Sequence, residues 1–200
     1  MKNQPLNHHR NLHPPKGQVW LIADTHFGHA GSIEHTKRPF RDVAEMDAML
    51  IEAWNAFVRP ADTVIFVGDF EWGHKPERVA EILGTLKGKK HLVVGNHDRP
   101  RTTTLPWESV QERLTVHTAG RRIVCDHYPL RAWPGCFHGA LHVYGHVHGA
   151  LPGTSQSCDV GVDCWSYAPA WVEDVIARMQ ATPDLPEERW RALDAEATEE

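Results

Sequence analysis

Long apolar runs are missing from this chain of 200 residues, and no stretch is apolar enough, for long enough, to span a bilayer. Residues 1–17 are rich in Asn, His, Pro and Lys and have no apolar core, so they do not form a secretory signal. They read as a flexible arm, with His8, His9 and His13 exposed to solvent. Cysteine is scarce: Cys125, Cys136, Cys158 and Cys164 contain no Cys-x-x-Cys pair, which argues against a zinc knuckle or a thioredoxin-type redox motif. With no export signal, the expectation is a cytoplasmic protein with reduced thiols. Positive charge is also in deficit. The formal net charge of -5 argues against a broad nucleic-acid surface, though not against a small nucleotide.

What is present is ordinary in bulk. Hydrophobic residues make up 41% and charged residues 24%, as in a soluble globular protein. The length suits one domain with a substantial core. Histidine is the anomaly, with 15 copies. It serves metal binding and proton transfer near neutral pH, so its positions carry information.

Residues 19–23 form a short apolar run that reads as a buried strand. Residues 24–41 read as a polar loop. Asp42 then resembles an N-cap, with Glu45 completing a capping box. The helix that follows puts Val43, Met46, Leu50, Trp54 and Phe57 on one stripe. Residues 63–67 read as a second strand, and Pro76 suits the first turn of a second helix. Residues 91–94 read as a third strand. Alternating strands and helices predict parallel strands with crossover helices. The second half predicts strands at 114–118, 122–126, 141–145 and 157–162, then a helix from Pro169 to about residue 180. The domain expected spans residues 18–180. Residues 181–200 read as a polar, acidic tail with one short helix at 187–193.

The chemistry falls where strands end. Asp24-Thr25-His26 follows the first strand, Gly68-Asp69 the second, and Gly95-Asn96-His97-Asp98 the third. Later strands deliver Asp126-His127 and Gly145-His146-Val147-His148. Ligand sites of open α/β sheets lie beyond the carboxyl ends of strands, so five strands aim potential ligands at one edge. Residues two apart on extended backbone face the same way, which lets Asp24 and His26 grip one ion, and His146 and His148 two neighbouring ions. Gly68, Gly95 and Gly145 allow close backbone approach beside them. Carboxylates, imidazoles and one amide oxygen suit manganese, iron, zinc or similar divalent ions. Two such ions about 3.5–4 Å apart are a common device for hydrolysing phosphate esters. Asp69 is the natural carboxylate to bridge them.

The ordered set Asp24-x-His26, Gly68-Asp69, Gly95-Asn96-His97-Asp98, His127 and Gly145-His146-x-His148 resembles the calcineurin-like metallophosphoesterases. Asp24-Thr-His-Phe-Gly-His29, Arg38-Pro-Phe40 and His127-Tyr-Pro-Leu130 are similar to a compact prokaryotic and phage branch of that superfamily. The resemblance implies an α/β (α+β) fold, a four-layer α-β-β-α sandwich of two mixed sheets. It implies two divalent metal ions, manganese first, with iron, zinc, nickel or cobalt as alternatives. Asp24, His26 and His148 would hold one ion; Asn96, His127 and His146 the other; and Asp69 both. His97, oriented by Asp98, would be the general acid in hydrolysis by a metal-bridging hydroxide. Asp126 stands where the branch often has a small residue, and it is expected to face away from the ions. His29, Arg38, Arg99 and Arg131 are candidates for contacting substrate, and Trp72, Trp133 and Trp165 for stacking or core packing.

The partner expected is a small phosphorylated substrate, either a phosphomonoester or a phosphodiester, with no membrane and no extended nucleic acid. Three rival readings stay open: a non-catalytic interaction module on the same scaffold, a nuclease, and a mononuclear zinc hydrolase with three protein ligands.

Overall fold

The computed structural model describes residues 7–15, 17–184 and 186. In chain order its elements are β1 (Asn7–Leu12), β2 (Val19–Ile22), α1 (Ala30–His35), α2 (Val43–Phe57), β3 (Thr63–Val67), α3 (Pro76–Thr85) and β4 (Lys89–Val93). There follow α4 (Pro100–Thr103), β5 (Ser109–Thr118), β6 (Arg121–Asp126), β7 (Leu141–Tyr144), β8 (Ser157–Asp159), β9 (Ala170–Trp171) and α5 (Val172–Gln180). The nine strands share one mixed sheet in the order β8-β7-β6-β5-β4-β3-β2-β9, with β1 alongside β5. Strands β2 to β5 run parallel, as the alternation of strand and helix predicts, and β6 turns back antiparallel to β5.

The expectation of two separate sheets needs correcting. One sheet curls until a single face serves both halves. Leu21, Ile65 and Val93 from β2 to β4 share a buried cluster with Val116, Ile123, Val143 and Cys158 from β5 to β8. The bend lies in β5, which pairs with β4 only over residues 109–111 and with β6 over 113–118. Strand twist accumulates across so many strands and folds an open sheet over itself. Helix α5 fills the remaining side, adding Val175, Ile176 and Met179 to the shared core. The outer face of β2 to β4 is covered by α2 and α3 through Trp54, Phe66, Ile82 and Leu83. The outer face of β6 carries a loop cluster of Trp133, Cys136 and Ala140 in place of a helical layer. No described helix is long and apolar enough to cross a membrane.

Helix α2 starts where its sequence says. Asp42 accepts a hydrogen bond from the Glu45 amide at 2.9 Å, and the Glu45 carboxylate reaches back to the Arg41 amide at 2.7 Å. Met46, Leu50 and Trp54 are buried, but Phe57 is 53% exposed where α2 ends, its ring beside Trp20. Asp47 joins the buried face instead, accepting from the Gly28 amide and pairing with His74. Asp42→Ala is expected to cost about 1 kcal/mol, read as a lower urea midpoint at an unchanged slope.

Three further departures have local causes. The arm expected at the N-terminus is a parallel strand over residues 7–12. Beyond Gln111, which still pairs with β4, the edge of β5 is free, and β1 pairs it over residues 111–116. His9 meets the Thr115 hydroxyl at 2.8 Å, and the His13 ring stacks on His117 at 4.4 Å. The loop expected at 24–41 contains α1. Helix α5 opens at Val172, not Pro169, because Ala170 and Trp171 first pair with β2. The short helix expected at 187–193 lies outside the described residues.

Candidate metal centre

Strands β2, β3, β4, β6 and β7 each end at one rim of the sheet, and there the chemistry-bearing side chains meet. Ligand atoms of Asp24, His26 and His148 lie within 4.8 Å of one another, and those of Asp69, His127 and His146 form a second such group. Asn96 joins the second: its Oδ1 is 3.0 Å from His127 Nε2 and 2.9 Å from His146 Nδ1. Asp69 Oδ2 lies between the groups, 3.6 Å from His26 Nε2 and 3.4 Å from His127 Nε2. All seven sequence candidates therefore share one site.

The backbone that delivers them differs from the extended pairs anticipated. Asp24, His26, Asp69, His146 and His148 all have left-handed backbone, with φ between 49° and 69°. Each such non-glycine residue costs about 1–3 kcal/mol and persists where packing over-determines it. Tight turns, not strand alternation, bring the pairs together. The neighbouring glycines explain how these turns fit. A Cβ on Gly68 would sit 2.3 Å from His127 Nδ1, and one on Gly145 would sit 2.5 Å from Asp24 Oδ2.

Several groups fix the ring orientations. His127 donates from Nδ1 to the Val67 carbonyl at 2.9 Å, which leaves Nε2 facing Asp69 and Asn96. His148 donates from Nδ1 to Asp163 Oδ2 at 2.7 Å. Asp163 is gripped in turn by Arg38, through Nε at 2.9 Å and Nη2 at 2.8 Å. The buried Arg38 guanidinium also donates to the carbonyls of Asp24 and Thr25 at 2.7 and 2.9 Å. Arg38 therefore holds the site's frame and is not placed to clamp substrate, which corrects the expectation for it. Asp163 was missed, since a single Asp in a turn carries no motif.

Asp98 also needs correction. Its carboxylate accepts from the amides of Gly95, Asp69 and Phe70 at 2.9–3.0 Å. It ties the loop carrying Asn96 to the turn carrying Asp69, and does not orient the His97 ring. Asp159, likewise unforeseen, accepts from the amides of Gly149 and Gly161 behind His148.

Burial dominates the electrostatics. It raises the Asp24 carboxyl to about 7 and lowers His26 to about 3. Burial also opposes charge on His127, but the hydrogen bond and charge of Asp69 outweigh it and bring that ring up to about 9. At Asp163 burial is outweighed by His148 and Arg38, and its pKa falls to about 2. Asp24 Oδ1 and both ring nitrogens of His26 are buried without a hydrogen-bond partner. An unsatisfied buried polar atom costs about 1–3 kcal/mol. A divalent cation would satisfy Asp24 Oδ1 and one of the two His26 ring nitrogens, and the mix of carboxylate, imidazole and amide oxygen is chemistry such ions accept.

Around this centre, His97 is one-third exposed, with Nε2 3.9 Å from Asp69 Oδ2. Its ring lies edge-on to Trp72 at 4.8 Å, and Arg99 sits over the same indole at 4.7 Å. His29 stands beside His26 at 5.4 Å and His97 at 6.3 Å. Arg131 is exposed in the loop after β6. Asp126 turns away, as expected, and pairs with Arg113 at 2.7 Å. Trp133 is buried, donating to the Ala140 carbonyl, and Trp165 donates to the Asp159 carbonyl under Arg178.

The chain is similar to several known proteins. The protein is 29% identical over 167 residues to the uncharacterised protein MJ1445 of Methanocaldococcus jannaschii, covering 80% of this chain and 89% of that one. It is 35% identical to the Gene 66 protein of Mycobacterium phage L5, covering 74% of this chain and 87% of the phage protein. Among solved structures, the protein of unknown function AQ665 from Aquifex aeolicus superposes with a TM-score of 0.67 at 21% identity. That match covers 82% of this chain and all of AQ665, and it shows a shared fold. The profile of the calcineurin-like phosphoesterases matches residues 17–181, which takes in every strand that ends at the site, and the chain belongs to that family.

Proposed function

We propose that the protein hydrolyses a phosphate ester with the help of two divalent metal ions. One observation carries this reading: Asp69 Oδ2 stands between two groups of ligands, in a rim where buried atoms of Asp24 and His26 have no protein partner. Asp24, His26 and His148 would hold one ion, Asn96, His127 and His146 the other, and Asp69 both. When bound, the pair would lower the pKa of a water and neutralise charge on the phosphoryl oxygens.

The protein's own groups do the rest. Arg38 and Asp163 hold His148 through Nδ1, which leaves Nε2 free to serve as a ligand. The Val67 carbonyl does the same for His127. His97, partly exposed and edge-on to Trp72, donates a proton to the departing oxygen. Family membership and the complete ligand set favour hydrolysis over a non-catalytic scaffold. The test is to strip the protein with chelator, reload it with manganese, count ions per chain, and assay p-nitrophenyl phosphate. Two ions and metal-dependent turnover are expected. One ion per chain would favour a mononuclear centre, and absence of turnover on phosphoesters would remove the proposal.

His97→Gln separates the acid from the ligands. Metal content should stay at the wild-type level, while turnover of alkyl esters falls by about 10²–10⁴-fold. Turnover of p-nitrophenyl esters, whose leaving group needs little protonation, should fall much less. Equal losses on both would rule out His97 as the acid.

A further inference from the structure

We propose that the substrate is a phosphodiester, and that the organic group it retains sits in the cleft beside Asn96 against the ring of Tyr128. The inference rests on the phosphoesterase reading above and specifies its substrate. An aromatic ring stands at each end of the paired ligand groups. At one end Trp72 meets His97 at 4.8 Å and His29 at 6.0 Å, and both histidines meet His26. At the other end Tyr128 meets His146 at 4.7 Å and His127 at 5.2 Å. Tyr128 is 46% exposed, so much of its ring is open to a ligand. A monoester carries one organic group and uses one wall. A diester carries two, one for each end.

The assignment of ends follows from His97. The departing group belongs beside the proton donor, at the Trp72 end, so the retained group falls to the Tyr128 end. There a cleft of about 610 Å³ opens, lined by Val94, Asn96, Arg113, Tyr128, Leu130 and His9. That volume lies within the roughly 300–1,000 Å³ of small-molecule sites. Its chemistry suits an uncharged planar group better than a second phosphate. The Arg113 guanidinium is already committed to Asp126, through Nε at 2.8 Å and Nη2 at 2.7 Å. Strand β1 builds the far wall through His9, so the N-terminal segment takes part in selecting the substrate. In the reaction, water supplies the hydroxyl that phosphorus gains, and the bond to the departing oxygen breaks. That oxygen leaves as an alcohol with the proton from His97, and the retained group remains on a phosphomonoester.

Binding of inert phosphinates tests this apart from turnover. Diphenylphosphinate and methyl(phenyl)phosphinate carry the same charge and differ by one ring, and neither has an ester bond to hydrolyse. Calorimetric titration of the manganese-loaded full chain should show the two-ring ligand binding about tenfold tighter, the size expected of one stacked ring. Tyr128→Ala should bring the ratio close to one, and Tyr128→Phe should preserve it. A wild-type ratio near one, or a ratio that survives Tyr128→Ala, would overturn the diester assignment even if p-nitrophenyl phosphate is hydrolysed. Failure to hydrolyse any phosphoester would instead overturn the reading on which it stands.

Discussion

Asp69→Asn is expected to strip at least one metal ion per chain and to lower phosphoester turnover by about a thousandfold or more, the size of a several kcal/mol loss in transition-state stabilisation. The substitution is conservative in shape. Oδ1 accepts the His97 amide at 2.8 Å, a bond that an asparagine carbonyl retains. The change falls on Oδ2, which faces His26 Nε2 and His127 Nε2 from between the two ligand groups. An amide nitrogen there brings hydrogens where a cation should sit and removes the negative charge both groups share. Metal analysis and p-nitrophenyl phosphate hydrolysis measure the two effects, with circular dichroism to verify the fold. A variant with its full metal complement and wild-type turnover would refute the bridging role.

Arg38→Ala is expected to destabilise the protein by about 3–5 kcal/mol, the loss found when one partner of a buried ion pair is removed. For a chain of this size that lowers Tm by on the order of 10 °C. The guanidinium is fully buried and serves Asp163 and the carbonyls of Asp24 and Thr25 together. Its removal leaves the carbonyls of Asp24 and Thr25 without their donor and the Asp163 carboxylate with His148 and Thr36 but no countercharged guanidinium. His148 loses the firm placement of its own partner, so metal affinity should fall with stability. Arg38→Lys should recover only part of the loss, because one ammonium cannot reproduce the planar fork. An unchanged Tm with unchanged metal affinity would show that the pair is dispensable.

Much of the site was legible before any coordinates. Asp24, His26, Asp69 and Asn96 all follow apolar runs, and the parallel strands β2 to β4 must bring such chain positions to one rim. His127, His146 and His148 also follow apolar runs but reach that rim through the antiparallel pairing of β6 with β5. The hydrogen-bonded frame behind the site was not legible in the same way. Arg38 and Asp163 are 125 residues apart, and nothing in either one's neighbours announces the other. Asp98 looked like a partner for His97 because they are adjacent, yet its oxygens reach three amides on two different loops. Strand β1 was hidden for a different reason. Asn-His-His-Arg-Asn-Leu has no apolar alternation, and it pairs because β5 offers an unfilled edge.

By itself the sequence determined the elements with strong local signals: the buried strands, the capped helix α2, and the order in which ligand candidates leave the strands. Those depend on side-chain periodicity and turn chemistry, which act over a few residues. Tertiary structure decided the rest. It curled one sheet where two were expected, turned five ligand residues into left-handed backbone, and assigned Arg38 to the frame and not to substrate. Each of these outcomes is set by groups distant in the chain competing for the same small volume, and short-range pattern carries no record of that competition.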